Sequence, residues 1–161
     1  MASSKLLIAW HSRTGTAESL ARAAAEGAGG RAHLMKAADV MPPHLLEAGG
    51  YLFACPENLA TMSGAMKEMF DRCYYPVLGR IEGRPYATMI AAGSDGEGAQ
   101  RQLDRIAKGW RLKRVTEPWI VITNAQTSKD IAAQKTVEPI DLENAATMGK
   151  ALAEGLEAGI F

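Results

Sequence analysis

Two rhythms of apolar residues alternate along the chain. Short unbroken runs predict buried strands, and stretches with apolar residues every three or four positions predict helices. The first run is Lys5–Trp10. Behind it Ala17, Leu20, Ala21, Ala24 and Ala25 fall at helical spacing, with Gly27 and Gly29 as the expected stop. Arg31–Lys36 alternates polar and apolar, as a half-exposed edge strand does. Met41–Glu47 reads as a short helix with proline near its start. Gly50–Cys55 is continuously apolar, which fits a central parallel strand ending at Pro56. The stretch Pro56–Gly64 reads as a loop into a helix. Met62, Met66, Met69, Phe70 and Cys73 mark that helix's core stripe, and Tyr74-Tyr75-Pro76 its end.

A fourth strand is expected over Pro85–Ala92, then a glycine-rich turn, Gly93–Gly98. The helix after it shows an inner face of Ala99, Leu103, Ile106, Ala107 and Trp110. Val115–Thr123 carries a fifth strand, clearest in Trp119–Ile122. Asn124–Glu138 is a polar loop of unusual length, suited to a lid or contact role. Pro139-Ile140-Asp141 opens a last helix whose face runs through Leu142, Ala145, Ala146, Leu152 and Leu156.

Strand and helix alternate five times, which predicts an α/β domain spanning residues 1–161. It is read as a three-layer sandwich with a five-stranded parallel sheet in order 2-1-3-4-5 and helices on both faces. Ligands of such sheets bind beyond the carboxyl ends of the strands, where the strand order reverses. The loops after strands one, three and four meet there: His11–Ala17, Pro56–Ser63 and Gly93–Gly98.

The first of these is rich in hydroxyls. Ser12, Thr14 and Thr16 offer neutral donors, Gly15 lets the backbone approach closely, and the following helix directs unpaired amides outward. That suits an anion; the plainer alternative is that the hydroxyls only cap a helix. Neither a nucleoside-triphosphate loop nor a G-x-G-x-x-G fingerprint is present. The other two loops, apolar or glycine-rich, suit a flat ring.

Charge narrows the field. Over 161 residues, 18 basic and 18 acidic side chains balance, so no basic excess draws nucleic acid. No apolar run approaches a membrane span, and the N-terminus leaves no room for a signal peptide before the first strand, so a cytoplasmic protein is expected. The two cysteines, Cys55 and Cys73, read as buried reduced thiols, and the three histidines are too scattered for a metal site. His11 reads as a half-exposed turn residue, with contact to a ligand as its alternative. Lys108, Arg111, Lys113 and Arg114 read as a solvated basic face.

Ser12-Arg13-Thr14-Gly15-Thr16 resembles the phosphate loop of the flavodoxin-like flavoproteins. Pro56 to Asp71, with Met62-Ser63-Gly64, Met66-Lys67 and Phe70-Asp71-Arg72, is similar to a segment of NAD(P)H-dependent FMN reductases and flavodoxin-like quinone reductases. The resemblance covers nearly the whole chain and implies FMN. Its phosphate would take Ser12, Arg13, Thr14, Gly15, Thr16 and Ala17. Its ring would lie between Pro56, Glu57, Asn58, Leu59, Ala60, Thr61 and Met62 on one side and Gly93, Ser94, Asp95, Gly96 and Gly98 on the other.

This sequence departs from the pattern in three ways. Ala17 stands where the family's last loop threonine would be, neither ring loop holds Trp or Tyr, and the chain lacks the acidity of carrier flavodoxins. Glu57, Asp95 and Glu97 would supply local negative charge near the ring. The reading implied first is an oxidoreductase that takes electrons from NAD(P)H through FMN to a quinone-like acceptor, with no dedicated catalytic side chain. A one-electron carrier for a redox partner protein, or a flavin-free interaction protein of the same fold, are its alternatives. A homodimer or homotetramer is compatible with either flavin reading.

Overall fold

β1 (Leu6–Trp10) is buried at every position, as an unbroken apolar strand must be when both sheet faces are covered. The computed structural model describes residues 3–161. Met1 and Ala2, part of the short N-terminal stretch weighed above, lie outside the described residues. β2 (Ala32–Lys36) lies parallel to β1 at the sheet edge, and β3 (Gly50–Asn58) is parallel to β1 on its other side. β5 (Pro85–Ala92) follows β3, again parallel. The outermost position is split between β6 (Lys113–Arg114) and β7 (Trp119–Ile122), both parallel to β5.

The expected order 2-1-3-4-5 is therefore present, but as seven strands rather than five. The fifth strand does not run continuously over Val115–Thr123. Its interruption includes Pro118, which has no N–H for the ladder. The seventh strand, β4 (Thr61–Met62), pairs antiparallel with the end of β3. Consequently β3 does not stop at Pro56, and Pro56–Ser63 is a hairpin rather than a loop. Met62 is buried in β4, outside the helical stripe assigned to it.

Helices fill the two outer layers. α1 (Thr16–Ala28) and α6 (Pro139–Ala158) cover one face; α2 (Pro42–Glu47), α3 (Gly64–Val77) and α4 (Glu97–Gly109) cover the other. Alternate strand residues supply the two cores: Leu6, Ile8 and Leu52 face α1 and α6, while Leu7, Phe53 and Cys55 face the opposite layer. In that second core Phe53, Phe70 and Trp110 meet edge to face at 5.0 and 5.2 Å between centroids. Both cysteines are free and buried there; burial pushes the Cys55 thiol up to about 12 and the Cys73 thiol upward as well.

Four local expectations change. Gly27 lies inside α1, which runs on to Ala28 before Gly29 caps it. Pro76 sits within α3, which ends one residue later at Val77. The Asn124–Glu138 segment contains a short helix, α5 (Ser128–Ala132). Arg114 is not part of a free basic face: its guanidinium pairs with Asp104, donates to the buried Thr88 Oγ1 and lies over the Tyr86 ring. Among the described residues, no helix is long and apolar enough to cross a membrane.

Candidate functional site

The carboxyl ends of β1, β3, β5 and β7 open into one cleft of about 690 Å³, within the ~300–1,000 Å³ range typical of small-molecule sites. Its walls are Ser12, Arg13, Thr14, Thr16 and Ala17 after β1; Pro56, Glu57, Asn58 and Leu59 on β3 and its turn; and Ala91 and Ala92 at the end of β5 with Gly93 and Ser94 after it. Thr123, Ala125, Gln126, Ile131, Ala132 and Lys135 close it from the segment after β7. The three loops singled out by sequence thus meet in one place, at the reversal of strand order between β1 and β3.

The phosphate-type end is built on the start of α1. Gly15 adopts φ +103°, a conformation that L side chains rarely take, and turns the chain into the helix. Its N–H is committed internally, donating to Ser12 Oγ at 3.1 Å. The first-turn amides of Thr16, Ala17 and Glu18 have no carbonyl acceptor within their own helix, and the helix end adds positive potential. Thr16 is 5% exposed, lines the cleft, and its buried Oγ1 has no hydrogen-bond partner. A buried hydroxyl without a partner beside unpaired amides is the donor set that an anionic oxygen completes. The end of the cleft therefore fits a phosphate.

The ring-type end is formed by the β3–β4 hairpin and the start of α4. Leu59 and Ala60 make the two-residue turn with φ of +52° and +66°, the left-handed pair that such hairpins demand and that non-glycine residues rarely supply. Leu59 is 99% exposed at the tip. Three links fasten the hairpin to α4. Gly96 N and Ala99 N donate to the Glu57 carboxylate at 2.9 and 3.3 Å, and Met62 N donates to Gln102 Oε1 at 2.8 Å. The Ala60 carbonyl oxygen fills the space where Gly98 would carry a Cβ, 2.0 Å from that position.

Glu57 is thus a helix N-cap delivered from a neighbouring strand. Asp95 is exposed and accepts from Glu97 N at 3.3 Å. The glycines of Gly93–Gly98 serve internal contacts as well: Gly93 lies against the Ala125 carbonyl, and Gly96 takes φ +87° as it opens α4. Ala60, Thr61, Met62, Asp95, Gly96 and Gly98 are not among the lining residues, and Gly15 lies beneath the Gln134 side chain. His11 is half-buried and shares a 2.8 Å hydrogen bond with Ser63 Oγ, joining the first loop to the start of α3. Burial, then the charge of Arg13, lowers its pKa below the usual 6.5. Among the described residues, no group of three or more His, Cys, Asp or Glu could hold a metal.

The lining contributed by Ala91, Ala92, Thr123, Ala125, Gln126, Ile131, Ala132 and Lys135 was not legible as a site in the sequence. The only hint was the length of the polar stretch before Pro139.

A doubly wound parallel sheet in this order, with a cleft at its switch point, defines a flavodoxin-like fold. A model of the NADPH-dependent FMN reductase family matches residues 42–127, more than half of the chain, and the chain belongs to that family. It is an FMN-binding redox protein, and the donor set at the start of α1 suits the phosphate of FMN. No curated protein sequence matches the chain.

Solved structures share the fold. A flavodoxin from the domain Archaea superposes with TM-score 0.78 at 17% identity, over 95% of this chain and 99% of its own. A WrbA-like flavodoxin from Agrobacterium tumefaciens gives 0.72 at 20%, over 97% and 99%. The flavodiiron protein of Giardia intestinalis gives 0.79 at 19%, over 98% of this chain but only 37% of its own length.

Proposed function

We propose that the protein is an NAD(P)H-dependent oxidoreductase that passes electrons through FMN to a quinone-like acceptor. FMN, when bound, supplies the redox chemistry, accepting a hydride equivalent and releasing electrons to the acceptor. The chain's own residues bind and orient. Ser12, Thr14, Thr16 and Ala17 would hold the phosphate through hydroxyls and first-turn amides, with Arg13 adding charge from the rim. Pro56–Leu59 and Gly93–Ser94 would flank the ring. Glu57 keeps those two walls at a set separation because its carboxylate is bound to the start of α4.

The observation that carries this reading is the wall composition. None of the cleft-lining residues is Trp, Tyr or Phe. An aromatic lid would occlude one face of the ring; walls without one would leave that face accessible to a nicotinamide and to an acceptor. The zero net charge agrees, since it provides no general field for steering to a basic partner protein.

The test is anaerobic mixing of FMN-loaded protein with NADPH or NADH. Bleaching of the flavin absorbance without a partner protein, and its return on adding a quinone, is the expected result. A flavin that stays oxidised with both nucleotides, yet is reduced by a one-electron donor protein, would establish a carrier instead.

A further inference from the structure

The segment from Thr127 to Val137, which links β7 to α6, lies across the loop at the start of α1 as a strap. Thr127 Oγ1 accepts from Asp130 N at 3.1 Å and caps α5. Past α5 the chain turns back, and Lys135 N donates to the Thr14 carbonyl at 2.7 Å. The Gln134 side chain covers Gly15: a Cβ there would stand 2.2 Å from Gln134 Nε2.

Lys135 is held more firmly than a surface lysine. Its Nζ donates to the carbonyls of Ala133 and Ile131 at 2.6 and 3.0 Å. Its third and longest contact, 3.4 Å, is to Thr14 Oγ1, a hydroxyl on a residue that lines the cleft. The side chain is half-buried while Gln134 and Thr136 on either side are exposed. Among the described residues it forms no ion pair.

That placement is electrostatically odd unless an anion completes it. The ammonium faces the positive end of α1, with Arg13 on the same wall. The one acidic residue of the lining, Glu57, is already satisfied by the amides of α4. Two cations and a helix N-terminus line the cleft, and the one first-turn acid of α1, Glu18, is paired with Arg22.

We propose that Lys135 is a ligand of the cofactor's phosphate, delivered by the strap, and that it makes the site select a phosphorylated flavin over the unphosphorylated one. This rests on the FMN reading. Two carbonyls fix the ammonium in advance, so little side-chain freedom is lost when the long Thr14 contact gives way to a phosphate oxygen. Lys135 lies outside the 42–127 family match, as does the α1 loop it faces.

Fluorescence titration of the apoprotein with FMN and with riboflavin tests this, using the wild type, Lys135→Met and Lys135→Arg. Methionine keeps the apolar stem and removes the charge. FMN dissociation constants for Lys135→Met are expected to rise about tenfold or more, as loss of a charge-assisted bond implies. Riboflavin binding should hold within about twofold, arginine should restore most of the FMN affinity, and the salt dependence of FMN binding should flatten in the methionine variant. Unchanged FMN affinity in Lys135→Met, or equal weakening for both flavins, overturns the proposal. A wild-type protein that binds neither flavin overturns the cofactor reading beneath it, a result readily told apart from the other two.

Discussion

At the scale of single residues, the phosphate end rests on Gly15 and Thr16. Gly15 bends the chain into α1 in a region that costs other residues roughly 1–3 kcal/mol. Thr16 holds a hydroxyl ready and unpaired. Gly15→Asp is expected to weaken FMN binding by about tenfold or more, through repulsion of the phosphate as well as strain. Gly15→Asn carries similar strain and bulk without the charge, so it should bind FMN better than the Asp variant. Equal dissociation constants for the two would argue against an anion at this loop. Residue chemistry here was legible because it is local: a strand, hydroxyls, a glycine and a helix start follow one another directly. What was not legible is that Gly15 N–H and Ser12 Oγ bond each other, which leaves the later amides to the ligand.

Elements matter most at the ring end. The β3–β4 hairpin carries two left-handed non-glycine residues, and α4 grips it beyond its own ladder bonds. Gly98→Ala would bring a Cβ to 2.0 Å from a backbone oxygen that cannot swing aside. It is expected to cost about 1–3 kcal/mol by the usual penalty of overpacking, read as a lower urea midpoint. Gly109→Ala, in the same helix with open space around it, should be neutral or slightly stabilising. A Gly98→Ala protein as stable as wild type would mean that the hairpin is not clamped in this way. The sequence pattern suggested a loop at Pro56–Ser63 because the turn lacks Gly, Asn and Asp, the usual markers of a two-residue hairpin. The force that holds it comes from residues some forty positions away, such as Gln102.

For the whole molecule, the two cores share one sheet. Cys55 on β3 and Cys73 on α3 lie in the same apolar cluster, and burial raises both thiols and disfavours their reactive thiolate forms. At pH 8 the native protein should therefore resist thiol reagents. Labelling of both cysteines should appear at the denaturant concentration where far-UV circular dichroism is lost. Reaction of Cys73 at a clearly lower concentration would show that the α3 layer opens before the sheet. On the other face, α1 and α6 approach so closely that a Cβ on Gly27 or Gly149 would strike the opposing backbone at 2.0 and 1.9 Å. Gly27 thus serves the helix pair rather than the end of α1.

The amino-acid sequence by itself determined the alternation of strand and helix and the composition of the loops that follow strands one, three and four. Each depends on periodicity or on neighbours close along the chain. Only the tertiary structure decided which backbone groups those loops spend on one another, how a carboxylate on β3 secures a helix from β5, and where the polar stretch before α6 comes to rest. Those outcomes depend on contacts between residues far apart in the chain, and no local pattern of side chains encodes such a meeting.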